Sequence, residues 1–304
     1  MEKSLILFAF DRFAGMNNVE EYFRTPTIID RAGHKLADMS VIENLDIDNS
    51  YVVATRPGCD LKLSGTSMHS LWSDGDLLCL FVEAGNLCKL NPGYVSPISS
   101  IIGSVGNNRM SYAKWGDRIY LTNSTFIGYF NNGNLYSLTD PELAFKVPLP
   151  CGQFIAYYRG RLYVAKRNVL YISDALCDHY DVRTGYRQFE SDITMLISAD
   201  NGLYVSDGVT WFLAGGVPEE FGKDKVFGKG AIPYTGVSID GKYIDEGLPG
   251  NYVLWTSVDG ICLGDGNGKV RNVTCFRYAM PKSGIGGAVV RNINGTIHYI
   301  VTLE

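Results

Sequence analysis

The stretch Tyr112-Ala113-Lys114-Trp115-Gly116-Asp117-Arg118-Ile119-Tyr120-Leu121 sets a glycine and an aspartate between two short apolar runs. β-Formers on either side of a Gly-Asp pair read as strand, tight turn, strand. The plan returns in Leu71–Leu80, Ile155–Val164, Leu196–Val205, Leu254–Leu263 and Val289–Ile300. The glycines at the turns, Gly75, Gly116, Gly160, Gly202, Gly260 and Gly295, stand 41, 44, 42, 58 and 35 residues apart. A strand–turn–strand unit recurring every 40 to 45 residues or so has the period of a β-propeller blade. The pattern specifies architecture and leaves chemistry open.

Extended to both ends of the chain, the repeat predicts an all-β fold: a single β-propeller of six blades, each of four antiparallel strands. The expected blades span about 66–108, 109–151, 152–191, 192–249, 250–284 and 285–304. The last has room for two strands. Residues 41–65 hold two more strand-like runs, Val41–Ile47 and Tyr51–Thr55, around the turn Asp48-Asn49-Ser50. Pairing of 41–65 with 286–304 completes the final blade and removes the exposed edges of an open ring. Seven blades stay open as an alternative, because the 58-residue spacing has room for a degenerate repeat. That spacing holds Val217–Gly250, read as a loop insertion, with Glu219, Glu220 and Phe221 as exposed interface candidates. Residues 1–40 fit no blade and read as an extended arm. Its apolar residues either pack on their own propeller or dock on a neighbouring subunit; Phe13, Met16, Asn17, Tyr22 and Phe23 are its interface candidates.

The 304 residues carry a net charge of −5 and no Lys/Arg-rich run, so the footprint of a duplex-binding protein is missing. The mild acidity is either an ordinary surface or an acidic channel wall that repels phosphate. Seven cysteines, odd in number and never paired as Cys-x-x-Cys, point to a reducing site of synthesis. Cys79 and Cys262 fall at strand positions that hold Tyr120, Tyr163 and Tyr204 elsewhere, so they read as small buried hydrophobes. The opening Met1–Phe10 lacks a basic start and a small-residue cleavage site, and no run approaches the ~18 apolar residues of a membrane span. The chain reads as soluble.

No constellation selects a catalytic residue, a metal site or a cofactor. The four histidines share no ligand spacing and read as structural. Ser206-Asp207-Gly208-Val209-Thr210-Trp211 is similar to the Asp-box turn of sialidase-type propellers, which is itself a structural turn. Asp46-Ile47-Asp48-Asn49 and Gly264-Asp265-Gly266-Asn267-Gly268 lack the later ligands of a calcium loop and read as turns. Glycosidase chemistry needs two carboxylates flanking a cleft, and no motif marks such a pair.

Several segments in order do carry a resemblance: Phe13-Ala14-Gly15-Met16-Asn17-Asn18, Glu43–Asp48, Arg56-Pro57-Gly58, His69-Ser70-Leu71-Trp72-Ser73, Trp211-Phe212-Leu213 and Leu254–Asp265. Together they resemble the virion β-propeller proteins of tailed bacteriophages, in particular the tail nozzle and packaged-DNA stabilisation proteins of short-tailed phages. The resemblance implies a non-enzymatic virion component, made in the bacterial host cytoplasm and built into the tail. About six copies would form a ring whose heterologous contacts close. DNA would pass through without specific binding, with an adaptor or portal-proximal protein on one side and a fibre, needle or plug protein on the other. Two rival classes are a propeller that binds or cleaves host surface glycans and a cellular protein-interaction scaffold.

Overall fold

The computed structural model describes residues 61–75, 78–94, 96–215, 218–244, 247–275, 280–281, 283–293 and 296–304, together with the backbone of five short strands within 13–55. The described chain is all-β apart from three-residue 3-10 turns, and its sheets follow one another like the blades of a propeller. Five sheets have four antiparallel strands each, joined in near-consecutive order. The first runs Met68–Ser73, Cys79–Glu83, Asn86–Leu90, Ser99–Ser104. The second runs Ser111–Trp115, Arg118–Thr122, Ile127–Asn131, Asn134–Ser137. The third is Phe154–Tyr158, Arg161–Lys166, Val169–Ile172, Tyr186–Gln188, with Lys146–Pro148 and His179–Asp181 paired as a small side sheet. The fourth is Met195–Ala199, Gly202–Ser206, Thr210–Ala214, Gly222–Phe227. The fifth is Val237–Asp240, Asn251–Ser257, Gly260–Gly264, Val270–Asn272. The chain finishes in a hairpin, Gly286–Ile293 with Thr296–Leu303.

Counted from first strand to first strand, the starts at Met68, Ser111, Phe154, Met195, Val237 and Gly286 lie 43, 43, 41, 42 and 49 residues apart. The irregular glycine spacing therefore has a local cause. Gly116, Gly160 and Gly202 turn the first strand into the second, whereas Gly260 turns the second strand of its sheet into the third. The segment 217–250, expected as a loop insertion, instead supplies the outer strand of the fourth sheet and the first strand of the fifth. It follows that the residue matching Tyr120, Tyr163 and Tyr204 on the second strand is Trp255, not Cys262; Cys262 sits one strand further out, opposite Trp255. Cys262 is fully buried, as expected of a small hydrophobe, while Cys79 is only half-buried.

The core explains why the second strands are apolar throughout rather than alternating. In Gly202–Ser206, Leu203 and Val205 pack into a cluster with the third sheet, while Tyr204 packs with Val253 and Trp255 of the fifth. Tyr163 and Ala165 likewise face the fourth sheet, and Leu162 and Val164 the second. A strand covered on both faces has no solvent side, so both of its periodic sets must be apolar. Each such Leu or Val contributes about 1.5–3 kcal/mol on burial. Close packing also dictates one glycine: a Cβ on Gly264 would lie 2.6 Å from the Tyr204 ring and 3.0 Å from that of Trp255.

At the N-terminal end the two runs read in 41–65 form a hairpin, Leu45–Ile47 with Val53–Thr55. Among the described residues that hairpin and the C-terminal one are separate two-stranded sheets. The segment expected as an extended arm carries three strands that pair with one another, Phe13–Met16, Ile28–Ile29 and Lys35–Met39. Phe13 and Met16 lie on the first of these, with their side chains outside the described residues; Asn17, Tyr22 and Phe23 lie outside them altogether.

Candidate functional site

The first strands of all five sheets and the C-terminal hairpin line one cavity of about 820 Å³. Hydrogen bonds between neighbours set their spacing. Ser70 Oγ accepts from the Met110 amide at 2.8 Å, and Ser111 Oγ accepts from the Ile155 amide at 3.1 Å. The same residue type thus joins first strand to first strand in two consecutive repeats. Tyr112 adds a bond from its hydroxyl to the Ser70 carbonyl at 2.9 Å, and burial raises its pKa.

A cluster of large side chains gathers where the first strands begin. The rings of Phe154, on the third sheet, and Tyr234, in the turn before the fifth, are 4.9 Å apart. The Arg109 guanidinium lies 5.6 Å from the Tyr234 ring, donates to the Gly286 carbonyl and pairs with Glu304 at 3.2 Å. Met110, Phe154 and Met195, at the starts of three first strands, are all buried. Leu71 and Val289, also in the lining, are 67% and 46% exposed. The described lining includes two cations, Arg109 and Lys114, and no carboxylate. Lys114 is 3.9 Å from Asp74, which lies outside the lining.

The C-terminal hairpin is held on the fifth sheet by a buried polar cluster. Tyr299 donates to the Thr235 carbonyl at 2.7 Å and its oxygen is 2.9 Å from Thr256 Oγ1. Desolvation pushes the Tyr299 phenol up to about 12. Thr235 in turn accepts from the Thr256 amide at 3.1 Å. Nothing in the sequence marked Arg109, Tyr234 or Tyr299. The serines carried a faint signal, since both stand near the start of a first strand in successive repeats.

The motifs singled out in the sequence take structural roles. Asp207 is buried, receives the Trp211 indole at 2.6 Å and the Glu190 amide at 3.1 Å, and so fixes a turn in the manner of an Asp box. Asp265 Oδ1 accepts from the amides of Asn267 and Lys269 at 2.8 and 2.9 Å, closing its glycine-rich loop as an Asx turn. His69 contacts Ser70 and Asn107, His179 lies 3.5 Å from Asp174, and His298 contacts Arg291. No three His, Cys, Asp or Glu side chains among the described residues are grouped to hold a metal. Glu219 and Glu220 lie on the 3-10 turn Pro218–Glu220, and Glu220 is exposed. Phe221 is not an interface residue: it is 6% exposed and stacks on Tyr163 at 6.0 Å, because its ring caps the core between the third and fourth sheets. On the side sheet, Asp181 is bonded by Arg183 at 2.7 Å and by Lys146 at 3.2 Å, and the Arg183 pairing foremost holds its carboxyl well below the usual range.

No family model and no curated protein matches the chain. Solved structures do show similarity. A gluconolactonase of Xanthomonas campestris is 10% identical with a TM-score of 0.45, over 79% of this chain and 87% of that one. The WD40 β-propeller domain of Doa1 is 12% identical with a TM-score of 0.41, over 66% of each chain. PorZ, a surface component of the type-IX secretion system of Porphyromonas gingivalis, is 12% identical with a TM-score of 0.49; 93% of this chain is covered and 35% of PorZ. These are likenesses in the course of the chain and carry no chemistry to it.

Proposed function

We propose that this protein is a non-enzymatic structural component of a bacteriophage tail. In this reading it is a six-bladed wedge, closed by residues 41–65 on the C-terminal hairpin, and about six copies ring the DNA exit channel. The observation that carries the reading is the axial cavity. Its lining comes from six successive repeats, the first strands of five four-stranded sheets and the C-terminal hairpin, brought around one axis. What such a body offers is shape and rigidity. The sequence resemblance to nozzle and DNA-stabilisation proteins supplies the setting. The N-terminal strands, which belong to none of the five four-stranded sheets, serve docking on a neighbouring copy or an adjoining tail protein.

Electron microscopy of the virion tests this reading. The expected result is a ring of copies on the tail axis, each with its N-terminal segment on a neighbour. A location away from that axis, or an N-terminal segment packed wholly on its own propeller, overturns it. Release of reducing sugar from bacterial surface polysaccharide, abolished by a single Asp or Glu substitution, overturns the non-enzymatic part.

A further inference from the structure

We propose that Asn132 is a site of spontaneous covalent modification, where the folded chain loses a side-chain amide to give aspartate and isoaspartate. The only co-reactant is water. The backbone nitrogen of the following residue gives up its proton and bonds to the asparagine side-chain carbonyl carbon. The bond from that carbon to the amide nitrogen breaks, ammonia leaves with the proton, and a cyclic imide remains. Water then opens the imide at either carbonyl, one route giving aspartate and the other isoaspartate. A glycine in the following position favours the attack, because no Cβ crowds its nitrogen. The chain has four Asn-Gly pairs, at Asn132, Asn201, Asn267 and Asn294, and the first three lie among the described residues.

The fold separates these three. Asn132 and Gly133 stand between the closing pair Asn131 and Asn134 of a hairpin, with φ of 46° and 85°, as a type I′ turn requires. Both are exposed, and a Cβ at Gly133 would meet nothing within 4 Å, so water reaches the reacting nitrogen. Among the described residues the Asn132 side chain takes part in no hydrogen bond; the bond from Asn134 goes to its backbone carbonyl. The other two pairs are held. Gly202 is buried and paired with Ala199 in its ladder, and Asn201 donates its side-chain amide to Asn267 Oδ1 at 2.7 Å. Gly268 is also buried: its amide points to the Asp265 carbonyl at 3.4 Å, and a Cβ there would lie 2.6 Å from the Phe212 ring. Forming the imide at either of those sites first breaks bonds that Asn132 does not have.

The two products differ in consequence. Aspartate tolerates the left-handed backbone of position 132, so the turn survives. Isoaspartate adds a methylene to the main chain of a two-residue turn, and the I′ geometry is lost. The outer strand Asn134–Ser137 then loosens, taking with it Leu135 from the core cluster of the first two sheets and Tyr136 from its stack on Tyr129.

The test incubates the full chain in mildly alkaline buffer, folded and, in parallel, in denaturant. Peptide mass spectrometry follows the three sites, with fragmentation that separates aspartate from isoaspartate. In the folded chain Asn132 is expected to react about fivefold faster, or more, than Asn201 and Asn267, the factor that one lost hydrogen bond is worth. In denaturant the three rates should converge. Asn132→Gly keeps a residue suited to positive φ and should abolish the mass gain in its peptide; if that variant does not fold, fragmentation of the wild-type peptide locates the change. An unaltered Asn132 in the folded chain, or a rate there no higher than at Asn201 or Asn267, overturns the proposal. So does a mass gain that persists in folded Asn132→Gly, which would assign it to Asn131 or Asn134. The same spread of rates in denaturant overturns the role of the fold. None of these results bears on the location of the protein in a virion, which is tested separately.

Discussion

Between the third and fourth sheets the contact is almost wholly apolar: Tyr163, Leu170, Leu203, Val205 and Leu213 are each buried in one cluster. Around the C-terminal hairpin it is largely polar, made by Tyr299 on Thr235 and Thr256 and by Arg109 on Gly286 and Glu304. The first strand of the third sheet is buried at four of five positions, whereas that of the first sheet has three exposed residues in six. Internal sheets are clamped by neighbours on both faces and are stabilised by area. The C-terminal hairpin is tied to its neighbours by directional bonds from Tyr299 and Arg109, which set its geometry.

The sharpest way to break this contrast is to remove residues 1–65, which takes away the hairpin assigned to the C-terminal sheet. An exposed edge and an insoluble product are expected, read by soluble yield and cooperative urea unfolding. A soluble, cooperatively folding truncation would leave the C-terminal hairpin without need of its N-terminal partner. Trp255→Ala comes next. The ring is fully buried between the fourth and fifth sheets, and its loss should cost about 3–5 kcal/mol in equilibrium unfolding.

Tyr299→Phe acts on the polar side of the comparison. It leaves the Thr235 carbonyl without its donor and should cost about 1–3 kcal/mol. Its pH signature separates it from a packing defect. The phenol is raised from 10.0 to about 12 in the folded chain, so its contribution is full below the ordinary value and is lost as pH rises toward the folded one. The variant should therefore lose less stability than wild type between those pH values. Asp181→Asn is the smallest effect. The carboxyl is lowered from 3.8, chiefly by Arg183, so its contribution is present above that pH and disappears as pH falls through the folded value. The variant should show a shallower acid limb, by a small margin because Arg183 is 58% exposed and water screens the pair.

Much of the architecture was legible in the residues. Apolar pairs of runs around Gly75, Gly116, Gly160 and Gly202 marked hairpins, and the hairpin in 41–65 was read from Asp48-Asn49-Ser50. Legibility failed at the fifth sheet. Gly260 obeys the same turn chemistry as the others but joins a different pair of strands, and local turn chemistry contains no count of strands. Val237–Asp240 is short and has an exposed serine at its second position, so it gave no apolar run to reveal a first strand. Phe221 was misread for a related reason. Its neighbours Glu219, Glu220 and Lys223 are charged, yet the Phe221 ring turns inward, onto Tyr163.

By itself, then, the sequence determined the period, the all-β class and the turns, because these depend on residues within one hairpin of each other. The tertiary structure decided where the axis lies, which side chains line the cavity and how the last hairpin is held. Those features are made by Arg109, Phe154, Tyr234, Gly286 and Tyr299, brought together from five different parts of the chain. Side chains that meet across an axis come from repeats tens of residues apart, and no local spacing rule relates them.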